Sequence, residues 1–155
     1  MGDYLQQFIK QQVPNIESNM YNLVTEIKCP QVLKESMLYS LEAGGKRIRP
    51  LFVAAVCEMF KKPQNAMYTV GAAIEIIHTY SLMHDDLPCM DDDDMRRGKP
   101  TNHKVFGEAL AVLAGDALNS MAFGLLATMS NVSAGQRLEL VKVLSKYAGA
   151  EGMVG

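Results

Sequence analysis

The sequence predicts an all-α protein, a bundle of mostly antiparallel helices joined by short loops. Two observations support this fold class. Apolar residues recur at helical spacing through most of the 155 residues, and no segment alternates convincingly as a strand. Hydrophobic residues make up 48% of the chain and charged residues 21%, which is typical of a folded domain. We therefore expect one helical domain over residues 1–155.

The helix boundaries follow from glycines and prolines. Pro14 is expected to divide the first helix or to open its second part, and Gly44-Gly45 to end the second. Pro50 suits the first turn of the third helix, because its missing N–H needs no partner there. Pro88 interrupts the long fourth helix. The predicted helices span residues 3–28, 31–43, 50–60, 65–87, 107–129 and 134–150.

Composition excludes several classes of function. The net charge of −2 gives no basic surface for nucleic acid or for an anionic membrane. Three widely spaced cysteines form neither a disulfide framework nor a zinc pattern, so we expect a cytoplasmic protein. The apolar stretch 66–84 is interrupted by Glu75 and His78, which favours a core helix over a membrane span.

An acidic cluster follows the fourth helix. Six of the eight aspartates lie in ten residues: Asp85, Asp86, Asp91, Asp92, Asp93 and Asp94. In an ideal helix a six-residue step turns about 600°, so Asp85 and Asp91 would not share a face. Because Pro88 disrupts the preceding turn, the chain can bulge and bring both carboxylates to one point.

Carboxylates at the C-terminal end of a helix repel each other and meet the negative end of its dipole. A divalent cation would reverse that penalty, and Mg²⁺ commonly uses one or two carboxylates with water and phosphate oxygens. A solvated acidic loop is the alternative. An EF-hand is excluded, since Arg96 occupies the position where that loop needs glycine.

A basic segment, Gly44-Gly45-Lys46-Arg47-Ile48-Arg49-Pro50, joins two helices. Glycines and a helix N-terminus admit anions, and lysine and arginine suit phosphate oxygens. His78 lies seven residues before Asp85, on the same side of one helix. Alone, this segment would be a solvated turn and His78 a core histidine; beside the acidic cluster they predict a diphosphate site. Asp116, in an apolar stretch, is expected to support the site or the structure.

Together these segments resemble the trans-prenyl (polyprenyl) diphosphate synthase family, and within it the bacterial farnesyl diphosphate synthase (geranyltranstransferase) type. The segments that carry the resemblance are SLEAGGKRIRP, EIIHTYSLMHDDLPCMDDDDMRRGKPTNHKVFGE and LAGDALNSMAF. The resemblance runs from about residue 31 to the end. It implies the N-terminal half of an isoprenoid synthase fold, because nothing after Asp116 resembles the second aspartate-rich motif of the family.

The resemblance also implies roles for individual residues. Asp85 and Asp91, with Asp86 beside them, match the first aspartate-rich motif, which binds Mg²⁺ bridging to the allylic diphosphate. Arg96 matches the arginine that contacts this diphosphate. The positions that hold isopentenyl diphosphate match Lys46, Arg49, His78 and Arg97. Tyr80 matches the bulky residue that closes the product tunnel, and with the Pro88-Cys89 insertion it implies a fifteen-carbon product.

The implied reaction joins isopentenyl diphosphate to dimethylallyl or geranyl diphosphate in a magnesium-dependent condensation that gives farnesyl diphosphate. The implied assembly is a homodimer. Without the second motif, we expect this chain alone to have little or no activity. Two alternatives stay open: a class I terpene cyclase-like lyase, which needs no second diphosphate site, and a non-catalytic helical half-domain that pairs with another subunit.

Overall fold

Within the part of the chain that the structure describes, seven helices and one short hairpin follow each other. The computed structural model describes residues 2–130 and 132–155. The elements are α1 (Gly2–Thr25), α2 (Gln31–Leu41), α3 (Ile48–Met59), α4 (Gln64–Asp85), β1 (Met95–Arg96), β2 (Lys99–Pro100), α5 (Asn102–Phe106), α6 (Glu108–Ala127) and α7 (Ala134–Ala148). The all-α prediction is confirmed.

Helix α4 is the central element, and it packs against α1, α3 and α6. Its buried face carries small residues that admit close neighbours. A Cβ on Gly71 would lie 3.1 Å from Cβ of Pro50, at the start of α3. Around α4 the core is built from aliphatic and methionine side chains: Met20, Val24, Met37, Leu41, Ile76, Ile77, Met83, Leu118 and Leu126. This packing fixes the start of α3 beside the middle of α4.

Two boundary predictions at the N-terminal end are wrong. Helix α1 continues through Pro14 without a break and ends at Thr25 rather than residue 28. Proline removes one hydrogen bond from a helix interior. Here the buried residues Ile16, Met20 and Val24 follow at helical spacing and hold the second part of the helix against the core.

The segment between α4 and α6 contains a hairpin and a short helix that the periodicity did not predict. In the hairpin Met95 pairs with Pro100 and Arg96 with Lys99. The two turn residues both have positive φ, 52° at Arg97 and 78° at Gly98, as a type I′ turn requires. Helix α5 follows directly and is separated from α6 by Gly107, whose φ is 86°.

Helix α6 is long and apolar enough, by length and composition alone, to cross a membrane. Its buried residues Ala111, Ala114, Leu118 and Ala122 form part of the hydrophobic core and pack against α4. Core packing therefore accounts for the apolar character of this face. Asp116, expected to support the site or the structure, is exposed on this helix.

Candidate active site

The acidic cluster begins where α4 ends and then turns back on itself. The backbone N–H of Asp91 donates to the carbonyl of Asp85 at 2.8 Å, and that of Asp92 to Leu87 at 3.1 Å. Asp92 adopts a φ of 53° to close this loop. The chain bulge at Pro88 thus brings the backbones of Asp85 and Asp91 together, although six residues separate them.

Asp86 has different surroundings from Asp85. Its side chain is 4% exposed and lies 2.6 Å from the guanidinium of Arg96. Arg96 also contacts Asp93 at 3.3 Å. The hydrogen bond that Arg96 donates to Asp86 raises the pKa of Arg96, and the acidic neighbours add to this effect. Of the two consecutive aspartates, Asp86 is buried against an arginine and Asp85 is half-buried at the helix end.

Asp85 and Asp91 are suited to a divalent metal. Among residues 2–130 and 132–155, neither carboxylate forms an ion pair, whereas Asp86, Asp93 and Asp94 each pair with a cation. Within the same residues no group of three metal-binding side chains is assembled. Because Mg²⁺ commonly uses one or two carboxylates and completes its shell with water and phosphate oxygens, this donor set fits it.

The four predicted diphosphate ligands Lys46, Arg49, His78 and Arg97 line one cleft of about 580 Å³. The hairpin turn brings Arg97 to this cleft, where its Nη1 donates to the carbonyl of Gly44. A side chain on Gly45, whose φ is 137°, would collide with the Arg97 guanidinium. A side chain at position 45 would therefore strain the backbone and displace the Arg97 guanidinium.

The cations of the cleft influence one another. Burial lowers the pKa of His78, and Arg49, Arg97 and Arg96 lower it further, against the opposite influence of Glu75. The pKa of Arg97 is lowered by burial and by Arg47. Because the positive groups of the cleft repel each other, an anion that enters it relieves this repulsion and is bound favourably. The cleft is therefore suited to a phosphate or diphosphate group.

Consecutive arginines on the hairpin serve the two parts of the site. Arg96, on β1, contacts the acidic loop, and Arg97, in the turn, lies in the basic cleft. The hairpin is held by α2, since the hydroxyl of Tyr39 donates to the carbonyl of Pro100 at 2.8 Å. The acidic loop is held as well: Thr101 Oγ1 donates to the carbonyl of Asp93 at 2.7 Å.

Tyr80 lies on α4 five residues before Asp85 and is 8% exposed. Its ring meets the ring of His84 edge to face, with centroids 5.6 Å apart. Burial raises the pKa of Tyr80, and Asp85 raises it further. Nε2 of His84 lies 3.1 Å from the carbonyl of Val112 on α6. Tyr80 is thus a buried group one helical turn and a half from the acidic cluster.

Two residues of the cleft were missed by sequence reasoning. Arg47 and Glu75 line it but contact each other, at 3.1 Å, and both side chains are almost fully buried. A charged residue inside an apolar helix, as Glu75 is in α4, was the available signal, since a buried carboxylate needs a partner.

A family model described as polyprenyl synthetase matches residues 30–151. This chain belongs to the polyprenyl synthetase family. It is 54% identical over 157 residues to the farnesyl diphosphate synthase of Bacillus subtilis (strain 168), an alignment that covers 100% of this chain and 53% of that protein. It is 54% identical over 129 residues to the chloroplastic geranylgeranyl pyrophosphate synthase of Catharanthus roseus, covering 83% of this chain and 36% of that one.

Solved structures agree. An apo FPP/GFPP synthase from Zymomonas mobilis superposes with a TM-score of 0.94 at 44% identity, covering 100% of this chain and 56% of that one. A geranyltransferase from Legionella pneumophila superposes with a TM-score of 0.94 at 38% identity, covering 96% of this chain and 53% of that one. The chain thus spans about half the length of the relatives it matches, as expected for half of the isoprenoid synthase fold.

Proposed function

We propose that this chain carries the allylic and isopentenyl diphosphate sites of a farnesyl diphosphate synthase. The reaction is the magnesium-dependent condensation of isopentenyl diphosphate with dimethylallyl or geranyl diphosphate. The observation that carries the proposal is the pair of subsites at one end of α4. The acidic loop that carries Asp85 and Asp91 is joined to the hairpin through the contact of Asp86 with Arg96, and the cleft receives the next hairpin residue, Arg97.

In this proposal Asp85 and Asp91 hold Mg²⁺, with Asp86 beside them. When bound, Mg²⁺ neutralises charge on the departing diphosphate. Arg96 adds a positive charge on the same side, and Asp86 keeps its guanidinium in place through their 2.6 Å contact. The diphosphate of isopentenyl diphosphate is held by Lys46, Arg49, His78 and Arg97. The double bond of the isopentenyl group then faces the allylic carbon of the other substrate. The apolar helix walls exclude water from the reacting carbons.

The proposed product is farnesyl diphosphate. Tyr80 supports it, because a buried aromatic ring one and a half turns below the acidic loop would limit the space for a longer chain. The named relatives include both farnesyl and geranylgeranyl synthases, so the family alone does not set this length.

We also propose that the chain alone has little or no synthase activity and works with further helices of the fold. No aspartate follows Asp116, so a second aspartate-rich motif would have to come from another segment. The protein is proposed to be a cytoplasmic homodimer. The three cysteines Cys29, Cys57 and Cys89 are free, which suits a reducing compartment. The cleft formed by Lys46, Arg49, Arg97 and His78 favours the synthase over a terpene cyclase, which has one diphosphate to bind.

The test is calorimetric titration of the purified chain with geranyl diphosphate, with and without Mg²⁺, after sedimentation has established its association state. We expect a dimer with magnesium-dependent binding that Asp85→Ala abolishes. Asp116→Ala is the matched control, because it removes an exposed aspartate from α6, outside the two subsites. Absence of binding by a chain with a cooperative helical unfolding transition would contradict the allylic site.

A further inference from the structure

Arg47 is a buried cation in a loop of exposed cations. Its side chain has 0% exposure, whereas the neighbouring Lys46 and Arg49 are exposed. Burying an unpaired charge costs several kcal/mol, so a loop that only needed positive charge would leave Arg47 in solvent. Its burial requires partners inside the protein.

Those partners come from three helices. Arg47 Nε donates to Glu17 on α1 at 2.9 Å and Nη1 to Glu75 on α4 at 3.1 Å. Nη2 donates to the hydroxyl of Tyr21 at 3.1 Å and to the carbonyl of Leu41, at the end of α2, at 2.7 Å. A guanidinium has five N–H groups, so four are engaged. Burial lowers the pKa of Arg47, but the hydrogen bonds to Glu17 and Glu75 outweigh it, and the pKa is raised.

The backbone of Arg47 is held in a conformation that suits this inward position. Its φ and ψ are 48° and 34°, in the left-handed region, which is unfavourable for a residue other than glycine. Its carbonyl accepts from the N–H of Leu51 at 3.0 Å and so begins the hydrogen bonding of α3. The side-chain contacts of Arg47 offset the cost of this conformation.

The contact with Glu75 ties the loop to the other wall of the cleft. Glu75 lies three residues before His78 on α4, on the same side of that helix, and both line the cleft. A rigid link between Arg47 and Glu75 therefore sets the separation between the loop cations Lys46 and Arg49 and the α4 residue His78.

We propose that Arg47 is the positioning residue of the diphosphate cleft. It joins the loop to α1, α2 and α4 so that Lys46 and Arg49 face His78 and Arg97. It acts from beneath the ligand, because its side chain has no exposed surface and four of its five N–H groups donate to the protein. The ligand's identity in this inference rests on the proposed function, but the link between the loop and the cleft does not.

The test uses inorganic pyrophosphate without Mg²⁺ as the probe. Arg47→Lys keeps the charge and loses the fork that reaches several partners. Tyr21→Phe removes one partner and is the milder variant, should Arg47→Lys fail to fold. Leu126→Ala is the control for stability alone. It truncates a buried side chain near the end of α6, and such truncations lower the stability of the folded chain.

Two readouts are taken at a temperature where circular dichroism shows each variant folded. The first is the Kd for pyrophosphate by calorimetry. We expect the Kd to increase about tenfold in Arg47→Lys, which corresponds to the loss of one hydrogen bond between a displaced loop cation and pyrophosphate. The Kd should increase less in Tyr21→Phe and stay unchanged in Leu126→Ala. The second is the pKa of His78 from ring-proton NMR, which should rise in Arg47→Lys because Arg49 and Arg97 no longer face it.

Unchanged pyrophosphate affinity and an unchanged His78 pKa in folded Arg47→Lys would overturn the inference and leave Arg47 with a purely stabilising role. If the wild-type chain binds no pyrophosphate, the proposed function of the cleft fails. The His78 pKa then still decides whether Arg47 positions the loop: a rise in Arg47→Lys and not in Leu126→Ala supports it, and no rise overturns it.

Discussion

Neighbouring residues of this chain have opposite environments in the site. Asp85 is half-buried without an ion-pair partner among the described residues, whereas Asp86 is buried against Arg96. Lys46 is exposed and Arg47 has no exposed surface. The distinction arises from backbone geometry, because a helix end at Asp85 and a left-handed residue at Arg47 send adjacent side chains in different directions.

The lowered pKa of His78 predicts a pH dependence of stability. Burial and the cations Arg49, Arg97 and Arg96 disfavour its charged form, and Glu75 opposes them. The folded chain therefore binds a proton less readily than the unfolded chain, whose histidine pKa is about 6.5. The free energy of unfolding should fall as the pH drops from the unfolded histidine pKa to the lowered pKa of the folded chain. Above the unfolded pKa, His78 is neutral in both states and leaves the free energy of unfolding unchanged.

Urea unfolding of the wild-type chain and His78→Asn across this pH range measures the effect. The variant cannot take up the proton, so its free energy of unfolding should decline less on acidification. Saturating pyrophosphate should reverse the sign, because an anion in the cleft favours protonated His78. Parallel pH curves for the two proteins would contradict the environment described for His78.

At the scale of residues, the proposed diphosphate ligands in the cleft could be predicted from the sequence, whereas the role of the buried Arg47 could not. The basic segment with Lys46 and Arg49, together with His78, predicted a diphosphate site from charge and spacing. The place of Arg97 in that site was implied only by the resemblance to the synthase family. Arg47 could not be separated from its neighbours, because its role depends on Glu17 and Glu75, which are distant in sequence and reach it only through the packing of α1 and α4.

At the scale of elements, periodicity predicted the long helices and failed where the chain changes direction. The hairpin is two residues long on each side, too short for any alternation to appear. Its turn, Arg97-Gly98, was nevertheless readable, since glycine in a two-residue hairpin turn suits positive φ. This small element supplies one arginine to each subsite.

The contact between α4 and α6 depends on a glycine. A Cβ on Gly115 of α6 would collide with the imidazole of His84 on α4. Alanine would displace that ring, and with it the 3.1 Å contact to the carbonyl of Val112 and the edge contact with Tyr80. We predict that Gly115→Ala lowers the free energy of unfolding by about 1–3 kcal/mol, as overpacking does, measured by urea denaturation.

Gly124, on the same helix, is the matched control. A Cβ there would meet no atom within 4 Å. The Gly124→Ala change should therefore raise the free energy of unfolding by up to about 1 kcal/mol, because alanine has the better helix propensity. If Gly115→Ala stabilises the chain as much as Gly124→Ala does, the close packing of His84 on Gly115 does not constrain these helices.

For the whole molecule, the described residues leave large apolar side chains uncovered. Phe52, Val56, Met59 and Phe60 of the α3 region are each at least half exposed, and on an isolated domain such a patch favours association. The Bacillus subtilis and Zymomonas mobilis relatives are about twice as long as this chain. We therefore expect that adding the remaining helices of the fold to this chain would complete the site.

Product length can be tested once the missing half of the fold is supplied, and we expect it to depend on Tyr80. The chain mixed with the C-terminal half of the Bacillus subtilis relative should form farnesyl diphosphate from geranyl and isopentenyl diphosphates in Mg²⁺, and Asp85→Ala should abolish this. With Tyr80→Ala, loss of a buried ring opens the space below the acidic loop, so chromatography should show longer products. Tyr68→Ala, the same change twelve residues earlier on α4, should leave product length unaltered. Farnesyl diphosphate as the main product of the Tyr80→Ala mixture would show that another residue limits the chain.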